Sequence, residues 1–396
     1  MGEDVGMYHD LGLRSIVNAV GPATRLGGLP LSATVLAAMS EAVAANVRMD
    51  ELEEAAGAEL ARLLGVPAVY VTSGASAALT LAVATCVAGT RPGAIEALPF
   101  SAAGRRVIVQ HAHRDPYDHA ITAVGVTLTE IGYPGSTYPD ELARELDDSV
   151  AAVLWRPGRE GELLSLRTVA ELAGSAGVLV VVDAAMDAPP VDRLQQLVSD
   201  GADLIAISGG KAFRGPHTAG LLCGNADLVA AVALHHQDMD IRAQTWQPSE
   251  ITGAQPLRGR HGLGRGMKVG REQIAGMLAA VREFVTEPTR WDAHYASELA
   301  DCAAKLTQCP TLSVAHGRND HLNVPVLEIG LPGGPPEADR IVRLLDAGEP
   351  RIHVDEGAAW RGVLTINPMG LHPGEGTVVG QRIAEIIMSA DHTEGP

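Results

Sequence analysis

From residue 68 onward the chain alternates short, unbroken aliphatic runs with longer segments whose apolar residues recur every three or four positions. The first run, Ala68–Thr72, ends in Ser73-Gly74-Ala75-Ser76 and passes into the alanine-rich stretch 77–88, which predicts a strand, a turn of small residues and a helix. The same alternation predicts strands at 106–110, 127–131, 150–155, 178–182, 204–208 and 219–223. Strands that are apolar along their whole length are buried on both faces, so the pattern predicts an α/β domain whose mostly parallel central sheet is sandwiched by helices.

The flanks read differently. Residues 1–31 are rich in glycine and proline (Gly21-Pro22, Gly27-Gly28, Pro30), which predicts an extended arm lying on a neighbouring surface rather than a strand. Leu36, Met39, Val43, Leu52 and Leu60 are spaced for helices interrupted near 46–49. After Leu228 a polar stretch, 235–263, predicts an irregular loop with His235 and His236 at the surface, followed by a helix at 269–285. Helices and short strands at 322–327, 351–354 and 362–366 then predict a small α+β domain. The expected organisation is an arm over 1–31, a large domain over 32–285 and a small C-terminal domain over 286–396.

Composition narrows the class. Hydrophobic residues make up 46% of the 396, charged residues 20% and aromatic residues only 3%, so the core is aliphatic and the chain is neither disordered nor a membrane bundle. With 30 basic against 48 acidic residues the net charge is −18, a field that repels nucleic acid. The four cysteines contain no CxxC pair and no signal stretch opens the chain, which points to reduced thiols in the cytoplasm. The apolar run 176–182 is far too short to span a membrane.

Two strand ends carry the chemistry. One strand runs into Asp183 and another, 28 residues on, into Ser208-Gly209-Gly210-Lys211. In a parallel sheet both end on the side where ligands bind, so an acid and an amine face one crevice. Pyridoxal phosphate requires this pair: a lysine for the Schiff base, and a carboxylate that keeps the pyridine nitrogen protonated. Ser73, Gly74, Ala75 and Ser76, at the start of a helix, supply N–H groups and hydroxyls for a phosphate, and Ser208 adds another hydroxyl. The glycines before Lys211 are expected to let its backbone approach the cofactor, and His111 and His113 place imidazoles at the same edge. A Walker loop is absent, Ser208-x-x-Lys211 lacks the Lys-Thr-Gly of penicillin-binding proteins, and no HExxH or Cys/His quartet supports a metal site.

The segments 17–28 (VNAVGPATRLGG), 72–76, 110–121 (QHAHRDPYDHAI), Asp183, 208–216 (SGGKAFRGP) and 264–274 (GRGMKVGREQI) together resemble the fold-type I pyridoxal phosphate enzymes of the aspartate aminotransferase superfamily. Within it they resemble the branch that contains selenocysteine synthase and D-glucosaminate-6-phosphate ammonia-lyase. The resemblance implies that Lys211 forms the internal aldimine and shuttles protons, that Asp183 meets the pyridine nitrogen, and that Ser73 to Ser76 with Ser208 hold the phosphate. It implies a stacking role for His111 or His113, with His113 favoured. It also implies a dimer or multiple of dimers with interfacial active sites, reached by Arg25 and by the loop holding Arg265 and Lys268, and a substrate carboxylate met by Arg351 or Arg361. Selenocysteine synthase carries an N-terminal tRNA-gripping domain, whereas Asn18 here already lies in the matching core, so no tRNA partner is expected. The expected activity is an ammonia-lyase-like α,β-elimination on a small polar amino acid. Racemisation, aldol cleavage, a selenocysteine synthase-like transfer and a catalytically silent cofactor-binding protein are the alternatives.

Overall fold

A computed structural model describes residues 6–158, 161–187, 191–236, 261–319 and 321–391. The chain divides into two compact units, one formed by residues 31–286 and the other by residues 1–30 together with 287–396.

The first unit is built on a seven-stranded sheet. Its strands are β2 (Ala68–Thr72), β3 (Arg106–Gln110), β4 (Thr127–Ile131), β5 (Val150–Trp155), β6 (Leu179–Asp183), β7 (Leu204–Ser208) and β8 (Gly220–Gly224), β1 lying in the other unit. They are arranged in the order β2-β8-β7-β6-β5-β3-β4. All run parallel except β8, which is antiparallel to both neighbours, β2 and β7. A parallel return needs a crossover of about a dozen residues or more, usually helical, and the short link 209–219 between β7 and β8 is not one. The carboxyl ends of β2, β3, β5, β6 and β7 therefore lie along one edge of the sheet.

Helices cover both faces, as the continuous apolar strands require. On one face the helix Ala75–Ala88 is buried almost all round, and its small side chains allow close packing with the central strands. On the other face Leu60 and Leu64, Leu166 and Val169, Leu194 and Leu197, and Ile274 and Met277 bring four further helices onto Val153, Val180, Ile205 and Leu221. Local signals set the helix ends: Ser165 Oγ accepts the Thr168 N–H, and Gly65 closes the helix Met49–Leu64 in the left-handed conformation, φ +64°.

In the second unit β1 (Ile16–Ala19) pairs parallel with β11 (Arg351–Val354). The glycine- and proline-rich start is thus not only an extended arm: its apolar residues Val17 and Ala19 are buried in the core of this unit. A hairpin of β9 (Ser313–Asn319) and β10 (Val324–Gly330), with β12 (Val363–Ile366) on its other side, forms an antiparallel sheet. The helices Asp292–Leu306, Gly334–Ala347 and Glu375–Asp391 complete the unit. Among the described residues no helix is long and apolar enough to cross a membrane.

Candidate active site

Asp183 is the last residue of β6, and Arg156 follows directly on β5. The guanidinium of Arg156 is buried, with 4% of its side chain exposed. Its Nε donates to Asp183 Oδ2 at 2.9 Å, and Nη1 donates to Asp118 Oδ1 at 3.0 Å and to the His113 carbonyl. The other oxygen of Asp183, Oδ1, accepts the Ala185 N–H at 3.2 Å. Both carboxylate oxygens are anchored, and each retains a lone pair for a further donor.

Asp118 stands on the far side of Arg156. Burial works against its ionisation but is outweighed by donors from Arg114 (2.5 Å), the Asp115 N–H (3.2 Å) and Arg156, so it titrates below the ordinary range. Arg114 also binds Glu130, where the chain of alternating charges reaches the surface, and Glu130 lies 2.8 Å from Nδ1 of His111.

His113 differs from the expectation. Its Nδ1 accepts the Arg156 N–H at 3.3 Å, which places its proton on Nε2, and its ring packs edge-on to Trp155 at 5.6 Å. At 1% exposure it leaves no ring face open for stacking, so in this structure it props the arginine. The exposed imidazole is His111.

Lys211, three residues beyond the end of β7, is half-buried. Burial lowers its proton affinity below that of an ordinary lysine, against the opposing pull of the Asp183 and Asp115 carboxylates. The structure thus brings Lys211, Asp183 and Asp115 into one electrostatic neighbourhood. Three residues later Arg214 adopts the left-handed conformation, φ +52°, in a loop folded back on itself by its N–H bond to the Lys211 carbonyl. The glycines before the lysine serve packing. A Cβ on Gly209 would lie 2.4 Å from Met277 Sδ and 2.9 Å from the Ala219 carbonyl oxygen, and one on Gly210 would lie 2.7 Å from His217 Cα.

At the end of β2, Gly74 adopts φ +100°, so that the N–H groups opening the helix Ala75–Ala88 face the same edge as Lys211. The start of β8 presses on this turn, because a Cβ on Gly220 would meet Gly74 and Ala75 backbone atoms at 2.5–2.8 Å. Ser76 is exposed, and Ser208 is half-buried at the end of β7. Ser73 Oγ donates to the Met267 carbonyl at 2.9 Å, which commits its proton to the loop that carries Arg265 and Lys268. The same carbonyl accepts Nε2–H of His236 at 2.8 Å, whose Nδ1 takes the Tyr70 hydroxyl at 3.0 Å. His235 and His236 are therefore buried at the end of the helix Ala226–His236, not displayed on a loop, and burial keeps both rings less basic than usual. Most of the expected loop, 237–260, lies outside the described residues.

Arg265 is half-buried and Lys268 exposed. Arg25, Arg351 and Arg361 lie in the second unit. There Arg25 meets His353 at 3.2 Å and Glu356 at 3.6 Å, Arg351 binds Asp346, and Arg361 lies over Trp360. Sequence reasoning missed Arg156, Asp115 and Asp118. An arginine at the carboxyl end of an otherwise aliphatic strand was the available signal for the first.

The donor set fits pyridoxal phosphate: an anchored carboxylate with lone pairs to spare, an amine of lowered proton affinity, and a helix N-terminus opened by a left-handed glycine. Nη2 of Arg156 is buried without a hydrogen-bond partner among the described residues.

No family model matches the chain. It is 30% identical over 405 residues to the 5'-C-glycyluridine monooxygenase-decarboxylase of a Streptomyces species, covering 98% of this chain and 93% of the relative. It is 25% identical over 406 residues to the D-glucosaminate-6-phosphate ammonia lyase of Salmonella typhimurium, covering 97% and 98%. A solved structure of D-glucosaminate-6-phosphate ammonia-lyase superposes with a TM-score of 0.79 at 23% identity, over 99% of this chain and all of that one. A serine palmitoyltransferase with bound PLP shares the fold at a TM-score of 0.53 and 13% identity, over 96% and 87%.

Proposed function

Because this chain belongs to the fold-type I pyridoxal phosphate-dependent enzymes, in the branch of D-glucosaminate-6-phosphate ammonia-lyase, we propose that it is a lyase that eliminates a group across Cα and Cβ of an amino acid. When bound, pyridoxal phosphate supplies an electron sink for the charge left at Cα. Asp183 would hold the pyridine nitrogen, Lys211 the cofactor's aldehyde carbon, and the 73–76 turn with Ser208 the phosphate. Lys211 moves the proton at Cα, and burial keeps a larger share of its amine uncharged and able to accept one. The single observation that carries this reading is the half-buried amine of Lys211 within the field of Asp183, itself fixed by Arg156.

The substrate is a small amino acid, and the names of the two relatives, a glycyl group on uridine and an aminated phosphosugar acid, add amino acids with a sugar-derived side chain to that class. A second reading, oxidative decarboxylation with dioxygen, is favoured by the 30% identity to an enzyme of that name. Further elements of the proposal are a reducing cytoplasm, consistent with four free cysteines, and a homodimer, for which Leu36, Val43 and Val47 offer an exposed apolar strip on and beyond the helix Ala33–Val43.

The site is tested by loading the protein with pyridoxal phosphate, reducing with borohydride and mapping peptides: the label is expected on Lys211. Label on Lys268, or none, overturns the assignment. The reaction is tested with β-hydroxy and sugar-bearing amino acids. Ammonia and a 2-oxo acid are expected. Oxygen uptake with carbon dioxide release would favour the second reading, and Cα deuterium exchange with inversion alone would indicate a racemase.

A further inference from the structure

Arg156 occupies a position that the proposed reaction does not explain. It is almost fully buried, yet among the described residues it touches neither the turn 73–76 nor Lys211 through any observed bond; its hydrogen-bond partners there are Asp183, Asp118 and His113. A guanidinium is the side chain suited to this place. Its planar fork serves acceptors on β6, on the Asp115–Asp118 turn and on the turn after β3 at once, which the single ammonium of a lysine cannot do with the same geometry. Asp118 balances it from the other side and is itself held by Arg114. The result is a buried row, Asp183, Arg156, Asp118, Arg114, in which each charge lies between or beside opposite ones.

We infer that Arg156 is a positioning residue that fixes the orientation of Asp183 and shares its negative charge, and so sets how strongly that carboxylate holds a proton on the bound cofactor. The inference rests on the reading of Asp183 given above. One oxygen of Asp183 is tied to Arg156 and the other to the Ala185 N–H, so the carboxylate can neither rotate away nor present its full charge to a ligand. Asp118 weakens Arg156 in turn. Among the described residues the charged groups facing this row are Lys211 and Asp115 from the site side and Glu130 on Arg114, with His113 Nδ1 against the Arg156 N–H, so a change at Arg156 or Asp118 alters the field without removing a group that meets the cofactor directly.

The test uses the full chain loaded with pyridoxal phosphate and follows the visible absorption of the bound cofactor through a pH titration. Arg156→Met removes a cation beside Asp183, so protonated forms of the bound cofactor persist to higher pH and the midpoint rises, by about one pH unit. Asp118→Asn removes an anion behind Arg156, and the midpoint falls. Arg156→Lys keeps the charge and returns the midpoint toward that of the parent. Thermal unfolding of each cofactor-free variant separates a lost fold from a moved titration. If Arg156→Met does not fold because two buried carboxylates lose their partner, Asp118→Asn decides. A midpoint equal to the parent's in a folded Arg156→Met, or in Asp118→Asn when the former does not fold, overturns the role of Arg156. Absence of any visible band in the parent protein would instead overturn the reading of the site.

Discussion

Lys211 makes the cofactor-free protein less stable than it would otherwise be. Its folded proton affinity lies below the ordinary lysine value of 10.5, so the unfolded chain binds the proton more readily. The penalty is therefore absent above 10.5, grows as pH falls through the lowered folded value and is complete below it. Lys211→Met, without cofactor, should gain stability over the parent at neutral pH, with the gain shrinking toward 10.5, as read by urea denaturation across a pH series. Asp183→Asn should keep the fold and bind cofactor but lose most turnover, since a neutral amide does not hold the pyridinium proton. Near-normal turnover in that variant would reduce Asp183 to a structural cap. Both residues were legible in the sequence because the chemistry dictates an acid and an amine at neighbouring strand ends. Arg156 was not, because its meaning depends on Asp118, brought near only by the fold, and on Asp183. His113 misled for a related reason: the sequence places it at the right edge but does not reveal that its ring is covered.

Among the elements, the helix Met49–Leu64 lies unusually close to the edge strand β2. A Cβ on Gly57 would stand 2.3 Å from the Val69 carbonyl oxygen. Replacing Gly57 by alanine gains about 1 kcal/mol of helix propensity, but forcing helix from strand costs about 1–3 kcal/mol. Gly57→Ala should therefore lower the thermal midpoint. One turn earlier Glu53 receives the Val71 N–H at 3.3 Å, and burial raises its carboxyl from 4.5 to about 8. The folded state thus binds a proton that the unfolded state releases, so stability falls as pH rises from 4.5 to about 8. Glu53→Gln should match the parent at acid pH and exceed it above 8, by a few kcal/mol at most (~1.4 kcal/mol per unit), in denaturation measured at both ends of that window. The buried strands announced themselves as aliphatic runs. Strand β9 did not, because most of its residues are exposed and polar and its only instruction is the partner β10. The direction of β8 was implicit in the shortness of the link before it.

At the scale of the whole molecule, the net charge of −18 opposes any polyanion. Charged tRNA should neither bind nor stimulate the enzyme at physiological salt, a result checked by filter binding and by product formation with and without tRNA. The pairing of β1 with β11 has a consequence of another kind, for synthesis. Val17 and Ala19 emerge from the ribosome about 330 residues ahead of the strand that covers them. At roughly 5–20 residues per second, that leaves the apolar side chains of this strand waiting some 20–70 s for their partner. The 31–286 unit has no such wait, since its strands and helices all lie between those limits. Stalled nascent chains ending before Arg351 should accordingly show a protease-resistant 31–286 body and a cleavable segment around β1, and chains released after Val354 should protect both.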